Sequence, residues 1–580
     1  MMRFRVYPVL AAAAFVCCVV QLAAAQSILD WAVHGTDPDG PGFVIPYDIS
    51  VARSGDRVAV IGLAREGAVV LGEEFDNDPY RFGLILETTQ AGQALWSSRG
   101  LVIPQWDGMM GYLAASSPIA TYTAEGLHLI FDAGQREIGG HAIVAYDPSG
   151  DKLWVAAVAD TTDTVAEIAA FIKALELDES GNLYYAALIM DTITVDGIDH
   201  VAEGVDALVA SLNADGTYRW VTTITGPGSQ YVGSIVDDYS GAFDVTAGGY
   251  SALAGYFSAG ATFGVGEATE TTLDETVTGV AYYDSTGSFV RVDQDCSNLE
   301  VCGGNLYLPR IAVANDKSIR TIWWFGEHEG QLEVEVGGLT LNDPGFGGAF
   351  VTSHDSTGNL RWVTQFRGYG NEFLLSIDTD AEGNTYVGGS FDALEMTIGS
   401  EVTLRKSDLQ VDEFDGLIAR LDSLGRVTWT MHMSGPENQY INAIDVDSLG
   451  NVYFASHFGG TATIGDDVFE SSATDWLHGR ISISTINSVN DEQPMARDVV
   501  AYPNPARDRV SVRSAGSCGG ARIIETSVFD VLGRRVLTSS NGPADLIDVS
   551  FDVRPLSSGV YFASVTCGGE RVVTSFVISR

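Results

Sequence analysis

The chain is 580 residues long and 46% apolar, with 65 Gly, 17 Pro and a formal net charge of −44. That acidity excludes a nucleic-acid binder, because phosphate contacts need a basic face. The length admits several domains or one long repeat array.

Residues 1–25 read as a signal peptide. Arg3 and Arg5 form a basic start, Val9 to Val20 an apolar stretch, and Ala23-Ala24-Ala25 a cleavage site ahead of Gln26. Pro8 and Gln21 interrupt the run, which falls short of the about 20 apolar residues of a membrane span. No other segment is apolar for long enough, so no integral span is expected after processing. Signal peptidase and the export machinery are the first expected partners.

From residue 26 to 486 one local phrase returns seven times, at intervals of about 66 residues. One element reads as strand, tight turn, strand: Ala210-Ser-Leu-Asn-Ala-Asp-Gly216-Thr-Tyr-Arg-Trp220 and Ala419-Arg-Leu-Asp-Ser-Leu-Gly425-Arg-Val-Thr-Trp429 are good copies. The other is a turn into an aromatic strand, as in Asp178-Glu-Ser-Gly181-Asn-Leu-Tyr184, Asp380-Ala-Glu-Gly383-Asn-Thr-Tyr386 and Asp447-Ser-Leu-Gly450-Asn-Val-Tyr453. An aspartate acceptor opening the turn and a glycine tolerant of positive φ closing it give the phrase its chemistry. The short alternating runs argue for an all-β protein. The end of the helix-like stretch 164–175 is read as a strand, because a repeat turn follows it.

The seven copies of the first strand of that phrase begin near Phe82, His141, Asp206, Gly279, Ala349, Asp415 and Trp476. Six continue to Trp96, Trp154, Trp220, Arg291, Trp362 and Trp429; the seventh lacks its continuation. Ile28-Leu-Asp-Trp31 resembles the missing strand and has no partner before it. The expected fold is therefore a seven-bladed β-propeller with four strands per blade, sealed by its N-terminal strand. Its turns are placed at Gly55, Gly126, Gly181, Gly241, Ser318, Gly383 and Gly450, the copies around Gly241 and Ser318 being degenerate. The tryptophans are expected to plug adjacent blades together.

A polar linker (487–498) precedes a C-terminal domain (499–580). Charge separates the two regions: residues 26–496 carry 20 Lys+Arg against 68 Asp+Glu, and residues 497–580 carry 10 Arg against 8 acids. With four Lys against 28 Arg, the acidic, lysine-poor body suits a salty medium that screens self-repulsion. A surface that collects cationic ligands is the rival reading. Removal of the signal leaves Cys296, Cys302, Cys518 and Cys567, for which export permits disulfides. Local pairs, Cys296 with Cys302 and Cys518 with Cys567, are the economical arrangement; free thiols are the alternative.

Catalytic signatures are missing. No metalloprotease, nucleophile-elbow or phosphate-loop pattern occurs, and with 76 carboxylates paired acids such as Asp237-Asp238 carry little information. The best Ca²⁺ candidate, Asp378-Thr-Asp380-Ala-Glu382-Gly383, lacks the later carboxylate of a calcium loop, and the repeat turn already explains it. Trp323-Trp324-Phe325 reads as a strand between two blades, with a sugar-stacking platform as the rival.

Residues 28–486 resemble the bacterial β-propeller repeat family of the SBBP type, best at Asp206–Tyr231 and Asp415–Tyr453. That family is defined by architecture and has no shared catalytic residues. The Gly-x-x-x-Trp spacing of Gly150 to Trp154 is similar to the tryptophan-docking motif of quinoprotein propellers, where it is structural and implies no cofactor. In the tail, Ala501-Tyr502-Pro503-Asn504-Pro505, then Asp530-Val531-Leu532-Gly533-Arg534, then Gly559-Val560-Tyr561, and an end at Arg580, resemble the type A sorting domain of the type IX secretion system. The resemblance implies an immunoglobulin-like β-sandwich recognised at the outer-membrane translocon.

The expected protein is thus a secreted or cell-surface propeller serving as a non-catalytic binding or structural module for an unknown extracellular ligand. The alternative is an extracellular polysaccharide- or polymer-degrading hydrolase or lyase working from the propeller funnel.

Overall fold

The computed structural model describes residues 29–35, 44–51, 57–64, 69–70, 73–74, 82–89, 91–102, 120–122, 128–133, 141–146, 152–157, 170–232, 241–296, 310–324, 332–336, 339–343, 347–399, 402–406, 413–482, 499–502, 506–514, 524–530, 534–541, 547–567 and 570–579. It divides into two units, Met1–Ile486 and Asn487–Arg580. Every regular element among the described residues is a strand.

In the first unit, apolar runs broken at Gly and Asp pair with their chain neighbours into four-stranded antiparallel meanders, numbered 1–7 with strands a–d. Meander 1 is Val44–Val51, Arg57–Ala64, Phe82–Thr89 and Ala94–Val102. Meander 2 is Ala120–Tyr122, His128–Ala133, His141–Tyr146 and Lys152–Ala157. Meander 3 is Ala170–Leu177, Leu183–Ile189, Gly204–Leu212 and Tyr218–Ile224. Meander 4 is Phe243–Val245, Ser251–Phe257, Val277–Tyr283 and Phe289–Cys296, with Gly228–Val232 also paired to its strand b. Meander 5 is Arg310–Val313, Ile319–Trp324, Ala349–His354 and Leu360–Gly368. Meander 6 is Glu372–Thr379, Thr385–Phe391, Asp415–Leu421 and Val427–Ser434. Meander 7 takes Gln439–Val446, Val452–Ile464 and Asp467–Ile481 from the end of the unit and its strand d, Trp31–Gly35, from the start: Trp31 pairs with Arg480 and Gly35 with Trp476. The a strands touch one another in cyclic order, that of meander 7 returning to that of meander 1.

The core lies between neighbouring sheets. Strand b of meander 3, Leu183–Ile189, is buried at every residue, which is why such strands read as continuous apolar runs. One cluster joins Ile143 and Ala145 of meander 2 to Leu175 and Leu208 of meander 3. Another joins Val351 and Trp362 of meander 5 to Leu374 and Leu417 of meander 6. Trp476 of meander 7 packs with Ile49, Val51, Val58 and Val60 of meander 1.

The plugs are a tryptophan laid on the c–d turn of the next meander. A Cβ on Gly216 would meet the Trp154 ring at 2.9 Å, on Gly425 the Trp362 ring at 2.6 Å, and on Gly92 the Trp31 ring at 2.7 Å. The indole N–H completes the dock: Trp154 Nε1 donates to Ala214 O (3.0 Å), Trp220 Nε1 to Ser285 O (3.2 Å) and Trp362 Nε1 to Ser423 O (3.1 Å). Where Arg291 stands in place of tryptophan, its Nη1 donates to Ser356 O at 2.9 Å.

Outer edges are covered as well. The b–c connection of meander 6, Glu395–Ile398 with Val402–Arg405, pairs with strand d of meander 5 at Phe366↔Ile398. That of meander 7 pairs with strand d of meander 6 at Met433↔Ile464, and Thr262 bridges Thr225. Each such hairpin reaches back to its predecessor and occupies an edge that would otherwise be free to recruit another chain.

The Asp turns form one repeated cage. In Asp178, Asp380 and Asp447, Oδ1 accepts backbone N–H groups two and four residues on, while Oδ2 accepts the Asn side chain and a Tyr hydroxyl. Two turn positions differ from the sequence reading. In meander 4 the a–b turn closes at Gly249, whose N–H donates to Thr246 O (2.9 Å), and not at Gly241, because an extra segment splits strand a. In meander 5 the positive φ (62°) belongs to Lys317 and not to Ser318. Strand a of meander 3 begins at Ala170, so the end of the helix-like stretch is a strand.

The second unit packs a sheet ordered Val499–Tyr502, Arg509–Ser514, Ile547–Asp552 on a sheet ordered Arg535–Asn541, Ile524–Asp530, Gly559–Cys567, Glu570–Ile578. Their shared core includes Val510, Val512, Phe551, Val528, Tyr561 and Phe576.

Candidate functional site

A cavity of about 120 Å³ lies between the a strands of meanders 1 and 3–7. Asp48, Glu176, Asp244, Asp378 and Asp445 line it, each from a different a strand, with Ile49, Phe243 and Ile311 among the apolar walls. Four of these acids hold the same place in their repeats, two residues ahead of the turn residues Asp178, Thr246, Asp380 and Asp447. Side chains two apart in a strand share a face, so a repeated phrase delivers a repeated carboxyl to the same cavity.

Three of the acids stitch one meander to the next. Asp244 Oδ2 accepts Val313 N–H (2.6 Å), Asp378 Oδ2 accepts Val446 N–H (2.8 Å), and Asp445 Oδ2 accepts Val51 N–H (2.6 Å). Their Oδ1 atoms accept the N–H of the following residue at 2.6–2.7 Å. The last stitch joins meander 7 to meander 1.

Burial and mutual repulsion oppose ionisation of three of the cavity acids. Burial raises Glu176 well above the carboxylate range, and Asp244, Asp48, Asp445 and Asp378 raise it further. Burial also raises Asp378, with Asp445 and Asp244 adding to it. Burial pushes Asp445 up to about 6 against the opposing Val51 N–H. The cavity therefore disfavours further negative charge and favours cationic or neutral contents. Among the described residues no group of three or more His, Cys, Asp or Glu could hold a metal ion.

The structure separates the residues of the Ca²⁺ candidate. Asp378 faces the cavity, while Asp380 is consumed by its own turn and by Tyr386. Trp323 and Trp324 are both buried, Trp323 donating to Thr352 Oγ1 (3.2 Å), so neither offers a face to an external sugar. Cys296 ends strand d of meander 4 and Cys567 ends a strand of the tail; Cys302 and Cys518 lie outside the described residues, as do the cleavage site at Ala25 and Gln26 and the linker. The signal that would have found the cavity acids is their fixed offset from the turn residue.

In the tail, Tyr561 stacks on Phe576 (5.9 Å) and donates to Ser557 O (3.0 Å), bracing the turn that leads into Gly559. Asp530 pairs with Tyr561 across the sheet, Tyr502 ends the first strand and Arg534 is exposed. Pro503, Asn504, Pro505, Leu532, Gly533 and Arg580 lie outside the described residues. Residues 500–579 match the secretion system C-terminal sorting domain. That domain marks a chain exported by the type IX machinery and attached at the cell surface. Among the described residues no helix is long and apolar enough to cross a membrane.

No curated protein matches the chain. Among solved structures, the chain is similar to a protein of unknown function from Dyadobacter fermentans (7% identity, covering 79% of this chain and 99% of that one, TM-score 0.33). It is also similar to a tryptophan-to-alanine mutant of Synechocystis apocarotenoid oxygenase (10% identity, 78% and 96% covered, TM-score 0.30). At these scores neither likeness carries an argument about fold or activity.

Proposed function

We propose that the first unit is a seven-bladed β-propeller of SBBP-type repeats, exported behind a signal peptide and held at the cell surface as a non-catalytic binding or structural module. The cyclic contact of the a strands, together with the pairing of Trp31 with Arg480, supports the ring. The observation that carries the non-catalytic reading is the use of the central carboxylates: three of them are bound to backbone N–H groups of the next meander. Their first task is to hold blades together. A broad face of loops around a rigid ring is a natural binding platform.

One observation favours the rival hydrolase or lyase, namely the convergence of five carboxyl groups from five strands on one cavity. The test uses the secreted, tail-processed protein on glycan and protein arrays at low and high salt, with polymer turnover followed in parallel. Retention of a ligand without product supports the binding module. Turnover that vanishes in Glu176→Gln would replace it with the enzyme.

A further inference from the structure

Trp476 and His478 are fully buried where meander 7 meets meander 1. Trp476 presses on the first meander so closely that a Cβ at Gly62 would lie 2.8 Å from its ring. Its indole N–H donates to His478 Nδ1 at 2.8 Å. An indole nitrogen can only donate, so Nδ1 must be the acceptor and the imidazole proton sits on Nε2. Nε2 is itself buried with no hydrogen-bond partner. The ring meets Trp31 of the closing strand edge-on at 5.8 Å and 83°, and the His478 backbone pairs with Val33.

A second proton on this imidazole would go to Nδ1. Two N–H groups would then point at each other, and a cation would sit among Trp31, Trp476 and apolar side chains with nothing to compensate it. The titratable or charged groups on the surrounding elements are Asp30 and His34 beside and on the closing strand, Tyr453 and His457 on strand b, Asp475 and Arg480 on its own strand, and Asp48 and Arg57 on meander 1. They are otherwise engaged: Asp475 with His34 (2.9 Å), Arg480 with Asp30 (3.4 Å) and His457 with Asn442 (2.7 Å). A proton on His34 would strengthen its bond to Asp475 and oppose opening.

We propose that His478 is a protonation switch on the joint that closes the ring, so that acidification releases the N-terminal strand Trp31–Gly35 while the other joints hold. The inference rests on the ring reading above. Burial pushes His478 down to about 3. The closed joint is therefore fully stable above the ordinary histidine value, about 6.5, and weakens as pH falls from there toward about 3. Over that window the open form gains close to tenfold per pH unit.

Hydrogen exchange on the intact secreted protein, corrected for intrinsic rates, tests this between pH 7.5 and 4. Protection of 31–35 and 476–481 should fall by close to tenfold per unit below about pH 6, while Tyr218–Ile224 and Leu360–Gly368 stay protected. His478→Asn keeps an acceptor for Trp476 without a titrating group and should abolish the local loss. If that variant fails to fold, the wild-type His478 ring resonances must titrate in step with the loss of protection. Uniform loss across all outer strands, or an unchanged loss in His478→Asn, overturns the switch. Absence of protection at 31–35 even at pH 7.5 would instead sink the ring reading.

Discussion

Replacing Trp31 by alanine tests the closure directly. The indole is half-buried, lies on the turn at Gly92, and meets Tyr453 at 6.4 Å and His478 at 5.8 Å, both edge-on. Removing a buried tryptophan costs about 3–5 kcal/mol, and half-burial puts Trp31 at the lower end, about 3 kcal/mol. Spread over a unit of roughly 450 residues with about 2.1 cal/mol/K per residue, that loss is a shift of roughly 3 °C in the melting temperature. The more sensitive readout is local, because among the described residues strand Trp31–Gly35 is paired along one edge, with strand c of meander 7. Limited proteolysis should cut the variant near its N-terminus well before the rest of the unit, with Leu95→Ala, at an exposed site, unchanged. A Trp31→Ala protein that melts and resists cleavage like Leu95→Ala would refute closure by this strand.

Glu176→Gln should raise the melting temperature at pH 7–8 and flatten its pH dependence. Glu176, Asp378 and Asp445 have raised folded values, so the stability they confer is complete near pH 4 and is lost as pH rises through those values; thermal scans across pH 4–8 read it. Asp445→Ala strands the Val51 N–H and should cost about 1–3 kcal/mol in denaturant unfolding. Gly216→Ala places a methyl against the Trp154 ring at a backbone φ of 83° and should cost over about 1 kcal/mol. Deletion of residues 499–580 should leave the protein inside the cell, as read by immunoblotting of cell and surface fractions. Calorimetric Ca²⁺ titration should give no heat assignable to Asp378–Gly383, since Asp380 already accepts from Glu382, Asn384 and Tyr386.

The repeat itself was legible because its chemistry is local. Phe82, His141, Ala349 and Asp415 are each the first residue of a strand c. Trp31 could be matched to its missing place because a tryptophan four residues after the turn glycine recurs in most other copies. The cavity acids were hard to single out: four share a fixed offset from the turn residue, but among 76 carboxylates that offset is broken by Ser50, Thr121 and Ala312 in the other copies. The split strand of meander 4 was hidden for a related reason. Gly241 satisfies the local turn pattern, but its carbonyl accepts Ile311 N–H (2.7 Å) from the next meander, a bond no sequence window contains.

That fourth meander shows what the repeat preserves. Its joint with meander 5 lacks the docking tryptophan and is held by a set of polar ties. Arg291 donates to Ser356 O, Val313 N–H to Asp244, Ile311 N–H to Gly241 O, and Ala247 N–H to Asn315 Oδ1. Arg291 also stacks on Tyr282, 4.0 Å from its ring centre, and is held by Asp293. The arginine supplies the N–H that an indole supplies elsewhere, to the same turn carbonyl, while Asp293 takes the indole's place against the turn glycine: a Cβ on Gly358 would meet its carboxylate at 2.8 Å. The unit repeated from meander to meander is thus a donor to the neighbouring turn carbonyl plus a group packed on its glycine, and the residue identity is secondary. It follows that Arg291→Trp should be tolerated, whereas Arg291→Ala, which removes the donor and the group that holds Asp293 against the turn, should loosen this joint.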